Sequence, residues 1–317
     1  MTYWEDRAKE IIDEESKSDY EIAQEIQRIV DEMNADIENE INRFYARYAI
    51  NEGISFIEAK KKIDAVDVQQ FSQKAKEYVE NKDFSEKANQ ELKAYNTKMY
   101  VSREKLLQAQ LGLIVTYAYA QIEQSMYNYM ESAYYRALKQ QAGILGETLQ
   151  VSINDVKTII FTPFENHKWS TRLWSDMETV RRHVQKTTRH VLLRGRHPYE
   201  FIKDMRKDTG ATTYNMKRLL LTETARVQTE ASKRHMLEEH GPESEYQFVA
   251  KMDSKTTKTC RSLNDKTFKV KDMVPGVNAP PMHPFCRSAV VPHIDENWRD
   301  KFFAERKGKY NLSKYTE

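Results

Sequence analysis

Three residues able to hold a soft metal ion fall within one short stretch of this chain. Cys260 lies in TTKTCRSLND, and Cys286 lies in PPMHPFCRS with His283 three positions before it. The 317 residues contain 2 cysteines in all. Zinc takes nitrogen and sulfur ligands in a tetrahedron, and the His-Pro-Phe-Cys spacing lets both side chains reach one ion. Cys260 would arrive from the preceding loop, and Asp253 stands as the candidate fourth ligand. Two other readings stay open. One is a packed pair of thiols with His283 bonded to backbone, because buried cysteine behaves as a small hydrophobe. The other is a Cys–His nucleophilic dyad. The dyad is disfavoured, since no helix N-terminus is evident upstream to stabilise a thiolate. Residues 252–292 have few apolar anchors beyond Phe268, Val270, Phe285 and the SAVV run. Ordering each residue costs roughly 1–2 kcal/mol of backbone entropy. A metal cross-link would supply what burial there lacks.

Two polar groupings stand upstream. Arg218, Thr222 and Arg226 share one face of a helix expected over 213–240, with Glu223 one step round. Glu223 and Arg226 can pair at i, i+3. The functional reading is an acid between two arginines in an anion or active site. The favoured reading is a structural network tethering this helix to the Cys-rich segment. The second grouping is the basic run Arg181, Arg182, Lys186, Arg189, Arg194 and Arg196. Arg182, Lys186 and Arg189 line one helical face and are candidate nonspecific contacts to DNA phosphates; the alternative is a solvated face.

The elements that position these residues read mostly as helix. Ile22, Ile26, Ile29, Met33, Ile37, Ile41, Phe44 and Tyr48 recur at steps of three and four, which predicts a long amphipathic helix. Ser18 or Asp19 is the expected cap, and 51–53 the expected stop. A polar helical region over 55–96 is broken at VENKDFS. A third pattern over 102–141 carries Leu106, Leu107, Leu111, Ile114, Ala118, Ile122, Met126 and Met130. Six tyrosines crowd the same helix and read as a helix–helix interface. Gly143 and Gly146 are its expected end. Two shorter helices are expected over 151–190, with Trp169 and Trp174 anchoring packing. A turn at Gly195 leads to another short helix, followed by the one over 213–240. Strand signals come last, at YQFVA, TFKV and SAVV. The expected fold is α+β: a helical N-terminal arm (1–145), a mixed C-terminal domain with a small β-sheet (146–295) and a basic tail (296–317).

Composition bounds the function. Charged residues make up 31% of the chain and hydrophobic ones 39%, with 9 glycines and 8 prolines, which favours a soluble helical protein. No apolar run approaches the roughly 20 residues of a membrane helix, and MTYWEDRAKE reads as no secretory signal. Two cysteines make no disulfide framework, which fits synthesis in a reducing cytosol. The net charge of +2 hides an asymmetry. Residues 1–50 hold 14 Asp/Glu against 6 Lys/Arg, whereas residues 181–240 hold 14 Lys/Arg against 7 Asp/Glu. Such a split points to docking, assembly or an anionic partner.

Several motifs then occur in a telling order. Trp169-Ser-Thr-Arg172-Leu-Trp174 precedes the Gly195 turn. Arg218-Leu-Leu-Leu-Thr222-Glu223-Thr-Ala225-Arg226 follows, then a strand with Asp253 after it, Cys260-Arg-Ser-Leu263, and Pro280-Pro281-Met-His283-Pro284-Phe-Cys286-Arg287. This order resembles the Mu F-like, or head morphogenesis, family of minor head proteins of tailed bacteriophages, over about residues 151–292. Members often carry further cysteines where this chain has Thr257 and Ser288, so a four-cysteine site is excluded. The resemblance implies a minor capsid protein in the virion, joining the head in few copies near the portal. There it would aid assembly or accompany the genome, with portal protein, scaffold, major capsid protein and DNA as partners. Domains of this family can be joined to toxin modules, but no added domain, nucleophile elbow or phosphate loop occurs here. The expected role is therefore non-enzymatic; the rival readings are a toxin-like enzyme and a plain nonspecific DNA-binding protein.

Overall fold

Apolar side chains recurring at helical spacing, few glycines and few prolines leave most of this chain no better conformation than helix. The computed structural model describes residues 3–48, 65–80, 84–95, 103–142, 151–194 and 198–293. The described elements are α1 (Tyr3–Tyr48), α2 (Ala65–Glu77), α3 (Glu86–Lys93), α4 (Arg103–Ala142), α5 (Ile153–Phe161), α6 (Trp169–Arg194), α7 (Pro198–His240), β1 (Glu245–Val249), α8 (Lys258–Leu263), β2 (Thr267–Lys269) and β3 (Ala289–His293). The architecture is α+β, as expected. The helix stop at 51–53, Gly143, Gly146, the Gly195 turn and the tail at 296–317 lie outside the described residues. No described helix is long and apolar enough to cross a membrane.

The chain forms two compact units. One contains residues 15–136 and 150–227, and the other residues 1–14, 137–149 and 228–317. In the first, Ile22, Ile26, Ile29, Met33, Ile37 and Ile41 of α1 are all buried. Phe44 is half-buried, and the Tyr48 side chain lies outside the described residues. Ser18 and Asp19 do not cap this helix, which begins at Tyr3. Asp19 instead accepts a hydrogen bond from Tyr129 Oη (2.7 Å), beside a bidentate Arg136–Glu15 pair (2.9 and 2.8 Å).

Helix α4 buries far more than one stripe. Leu113, Val115, Thr116, Tyr119 and Ala120 are as hidden as the expected Leu111 and Ile114, so its polar face is nearly lost. The tyrosines behave as interface residues. Tyr119 and Tyr134 are fully buried, Tyr117 stacks on Tyr78 at 3.9 Å, and Tyr127, Phe161 and Trp169 stack in series. Glu123 is buried but doubly satisfied. It accepts from Trp174 Nε1 at 2.9 Å and from Ser85 Oγ at 2.5 Å, the same hydroxyl that caps α3.

Two glycines inside these helices differ in kind. A Cβ at Gly112 would lie 2.8 Å from Tyr95 Oη, so this position serves a close approach. A Cβ at Gly210 would meet nothing within 4 Å. The short helix expected after Gly195 and the one expected over 213–240 are a single helix, which runs unbroken through Gly210 from Pro198 to His240. Thr209 and Thr213 hold the segment through hydroxyl bonds to the carbonyls of Met205 (3.0 Å) and Thr209 (2.8 Å). Gly210→Ala should therefore stabilise the protein by about 0.5–1 kcal/mol. Gly112→Ala should give no gain. Urea midpoints of the two variants check this, and equal shifts would refute the distinction.

Burial pushes the Asp19 carboxyl up to about 6, with Glu15 adding to the shift and Tyr129 and Arg136 opposing it. A folded-state value above the unfolded one means the folded protein holds a proton that the unfolded chain releases. That contribution is full below about pH 4 and is lost as pH rises to about 6. Asp19→Asn should remove this part of the pH dependence and be more stable than the native chain by about 1–3 kcal/mol above pH 6. Parallel stability–pH curves for the two proteins would count against it.

The second unit contains the sheet, with strand order β2-β1-β3, antiparallel throughout. Tyr246 pairs with Phe268 and Pro292, and Phe248 with Val290. Both faces of β1 are covered: Tyr246, Gln247, Phe248 and Val249 are all buried. Tyr246 and Val290 pack with Met236, Val270, Met273 and Ala279. Val249 and Val291 meet Ala8 of α1. Phe248 and Ala250 pack directly on Cys260 and Cys286.

Candidate metal centre

The second unit brings the cysteine segment together by short backbone straps. Phe248 N donates to Lys266 O and Asp265 N to Phe248 O, both at 2.9 Å. Asn264 Oδ1 accepts from Ala250 N at 2.8 Å. These bonds fasten the end of α8 against β1 and place Cys260 beneath Phe248. The second half of the site is a tight turn. Cys286 N donates to His283 O at 3.1 Å, and Phe285 takes a left-handed conformation at φ 59°. A bulky residue there costs of order 1–3 kcal/mol. The turn brings the His283 and Cys286 side chains to the same place.

Cys260 Sγ lies 3.2 Å from His283 Nε2 and 3.8 Å from Cys286 Sγ. The three ligand atoms lie within 4.8 Å of one another. Sulfurs about 2.3 Å from a tetrahedral zinc stand about 3.8 Å apart, and a sulfur–nitrogen pair about 3.6 Å. The sulfur pair already has that separation, and the Cys260–His283 pair is slightly closer. His283 Nδ1 faces Pro284 O at 2.8 Å. With Nδ1 carrying the proton, that bond leaves Nε2 free as a lone-pair donor, the second-shell pattern of a ligating histidine. The cysteines form no disulfide and both are buried. The donor set and spacing fit a metal ion.

The electrostatics favour one thiolate at Cys260. Its pKa is drawn down first by the Cys286 thiol bonded to it, then by the hydroxyls of Ser288 and Thr257 and by His283, against the opposing effect of burial. Cys286 is pushed up by the same bond and by burial. One expectation is corrected here. A helix start does exist upstream: Thr257 caps α8 and accepts from Cys260 N, so Cys260 sits in that helix's first turn. The cap is invisible as a helix signal because α8 is only 6 residues long.

Asp253 does not join the three ligand atoms. Its carboxylate accepts from Arg287 Nη2 (2.7 Å), Lys255 N (2.8 Å) and Thr256 Oγ1 (3.1 Å). These bonds, Arg287 foremost, hold it down at about 2. Its carbonyl also receives Arg261 Nη2 at 2.5 Å. Asp253 is thus the hub that fastens the loop before α8 to the turn after Cys286.

The Arg218 group divides. Glu223 and Arg226 are buried and paired at 2.8 Å. Arg226 also donates to Ile159 O and Ile160 O, each at 3.1 Å. It caps the end of α5, so the tether expected toward the Cys-rich segment runs to α5 instead. Arg218 is exposed, and Thr222 bonds back to the Arg218 carbonyl at 2.6 Å. Arg218 and Arg226 therefore do not bracket Glu223; the second guanidinium that acts on its carboxyl is Arg172. Trp169, fully buried, and Arg172, which donates to Phe164 O at 2.8 Å, serve packing and the α5–α6 turn.

The basic run is also mixed. Arg181 is engaged by Glu178 and Glu91 (3.6 Å to the latter). Arg182 and Lys186 are exposed on α6. The side chains of Arg189 and Arg194, and Arg196 entirely, lie outside the described residues.

A small antiparallel sheet with a Cys-His-Cys cluster against it thus defines a module with the geometry to hold a metal ion. Residues 182–291, from within α6 to within β3, match the family model described as Phage Mu protein F like protein. The resemblance carried by the motifs is shown over that segment. No curated protein and no solved structure matches the chain.

Proposed function

We propose that this chain is a minor head protein of a tailed bacteriophage, present in few copies near the portal, where it aids head assembly or the packaging and delivery of DNA. The match of residues 182–291 to the Mu F-like family carries this reading. Portal protein, scaffold, major capsid protein and genomic DNA are its proposed neighbours, and the virion its location. The role is structural rather than enzymatic. Cys260, His283 and Cys286 hold zinc, which supplies a cross-link between α8 and the turn before β3. Mass spectrometry of purified procapsids and mature virions tests the proposal. Expected is a small number of chains per particle; absence from both would end it.

Arg182 and Lys186, with Arg189, are proposed to touch DNA phosphates. Each neutralised phosphate releases counterions, so the logarithm of affinity should fall with the logarithm of salt by about 0.9 per contact. The triple alanine variant should flatten that slope by about 2–3. An unchanged slope means that α6 does not touch DNA.

A further inference from the structure

Cys260 and His283 also form part of the wall of a cleft of ≈ 240 Å³. The rest of the wall includes Lys251, Lys255, Arg287, Thr256, Thr257 and Ser288. It carries three cations and three hydroxyls, and no carboxylate. Arg287 and Lys251 are each paired with an acid, Asp253 and Asp13, both at 2.7 Å. Lys255 is exposed.

A tetrahedral ion has four positions, and structural sites fill all of them from the protein. Here three ligand atoms converge, and among the described residues no other Cys, His or carboxylate atom joins them. Thr257 and Ser288 line the same cleft, but zinc takes thiolate, imidazole and carboxylate ligands, and a neutral hydroxyl is not among them. Two thiolates and a neutral imidazole would leave a divalent ion formally uncharged, so an added anion is not repelled. The cationic wall raises the local concentration of anions.

We propose that the site is three-coordinate from the protein and that its fourth position opens into this cleft, where it takes a small monoanion such as a carboxylate. The proposal rests on the metal reading above and assigns Lys255 the attraction of the anion. Arg287, bound to Asp253, forms part of the cationic wall.

Cobalt(II) bound to the full chain separates the two ideas. A thiolate-to-cobalt charge-transfer band that Cys260→Ser weakens and Cys260→Ser with Cys286→Ser abolishes is expected; its absence from the native protein overturns the metal reading and this proposal together. Thiocyanate, and separately acetate, are then titrated. A saturable change in the cobalt d–d bands with the charge-transfer band retained is the expected result. Lys255→Ala should weaken thiocyanate by about three- to tenfold at unchanged cobalt affinity. Ser288→Cys, or Thr257→Cys should the first variant not fold, should tighten cobalt and abolish the anion response. A native cobalt spectrum that neither anion moves overturns the open position while the metal reading stands. Loss of the charge-transfer band on adding anion would mean that the ion is stripped, which overturns it equally.

Discussion

Stripping the metal is expected to loosen the cysteine segment while the helices of the other unit stay folded. Structural zinc contributes about 10–16 kcal/mol of apparent free energy in small zinc-finger peptides. The effect here should be smaller but still several kcal/mol, because this segment has anchors of its own. Val270, Met273, Ala279, Val290 and Val291 are buried, and Lys233 Nζ ties α7 to Met273 O at 2.6 Å. What those anchors do not restrain is the relation of α8 to the turn at His283–Cys286, which meet through Cys260. Chelator should therefore speed amide exchange and proteolysis first in α8 and the turn at His283–Cys286. Cys286→Ser should reproduce the effect without chelator. Elemental analysis of chelator-free protein should find close to one zinc per chain. Less than about a tenth of that, with melting unaltered by chelator, would assign the work to packing against α7 and the sheet.

Arg226→Ala is the second large effect expected, a loss of about 3–5 kcal/mol. The guanidinium is 3% exposed and its partner Glu223 is 1% exposed. Removing the arginine leaves a carboxylate buried without its counter-charge. Burial already raises the Glu223 pKa, with Arg226 the chief opposing influence, and Glu223 Oε1 has no hydrogen-bond partner among the described residues. The same substitution strips Arg226 from the Ile160 carbonyl, whereas Ile159 O keeps Thr162 N at 3.2 Å; the lost acceptor bond adds a penalty of about 1–3 kcal/mol. Replacing both partners, by Glu223→Leu with Arg226→Met, should recover much of the loss, because no lone charge is then left in the interior. Urea unfolding of the single and double variants measures both. A single-variant loss under about 1 kcal/mol would show that the pair is dispensable.

The two effects have different sources in the chain. Glu223 and Arg226 are three apart on one helix, so their pairing is legible from spacing. The carbonyls that Arg226 caps are 66 and 67 positions away, and nothing local indicates them. Likewise the short His283-to-Cys286 spacing announces a site, while the role of Asp253 depends on Arg287, 34 positions on. A carboxylate near candidate ligands is chemically plausible as a fourth; here a nearby guanidinium took it. The helix boundaries show a similar limit. Ser18 and Asp19 look like caps, yet Ala8 and Ile12 are buried as well, so tertiary burial extends α1 upstream of a local start signal. The cost of Gly210 in α7, about 1 kcal/mol, was too small to break a helix held on both sides by buried Met205 and Met216.

The sequence by itself determined the elements whose signals are periodic or compositional: the apolar stripes of α1 and α4, the three strands, the Cys-His-Cys grouping and the Mu F-like resemblance over residues 182–291. Each depends on side chains a few positions apart, where chain geometry alone sets what meets. Tertiary structure decided the rest. It turned Asp253 to Arg287 and Arg226 to α5, and it set a cationic cleft beside two of the three ligand residues. Those outcomes rest on which polar groups, far apart in the chain, are taken from water together and must then satisfy one another.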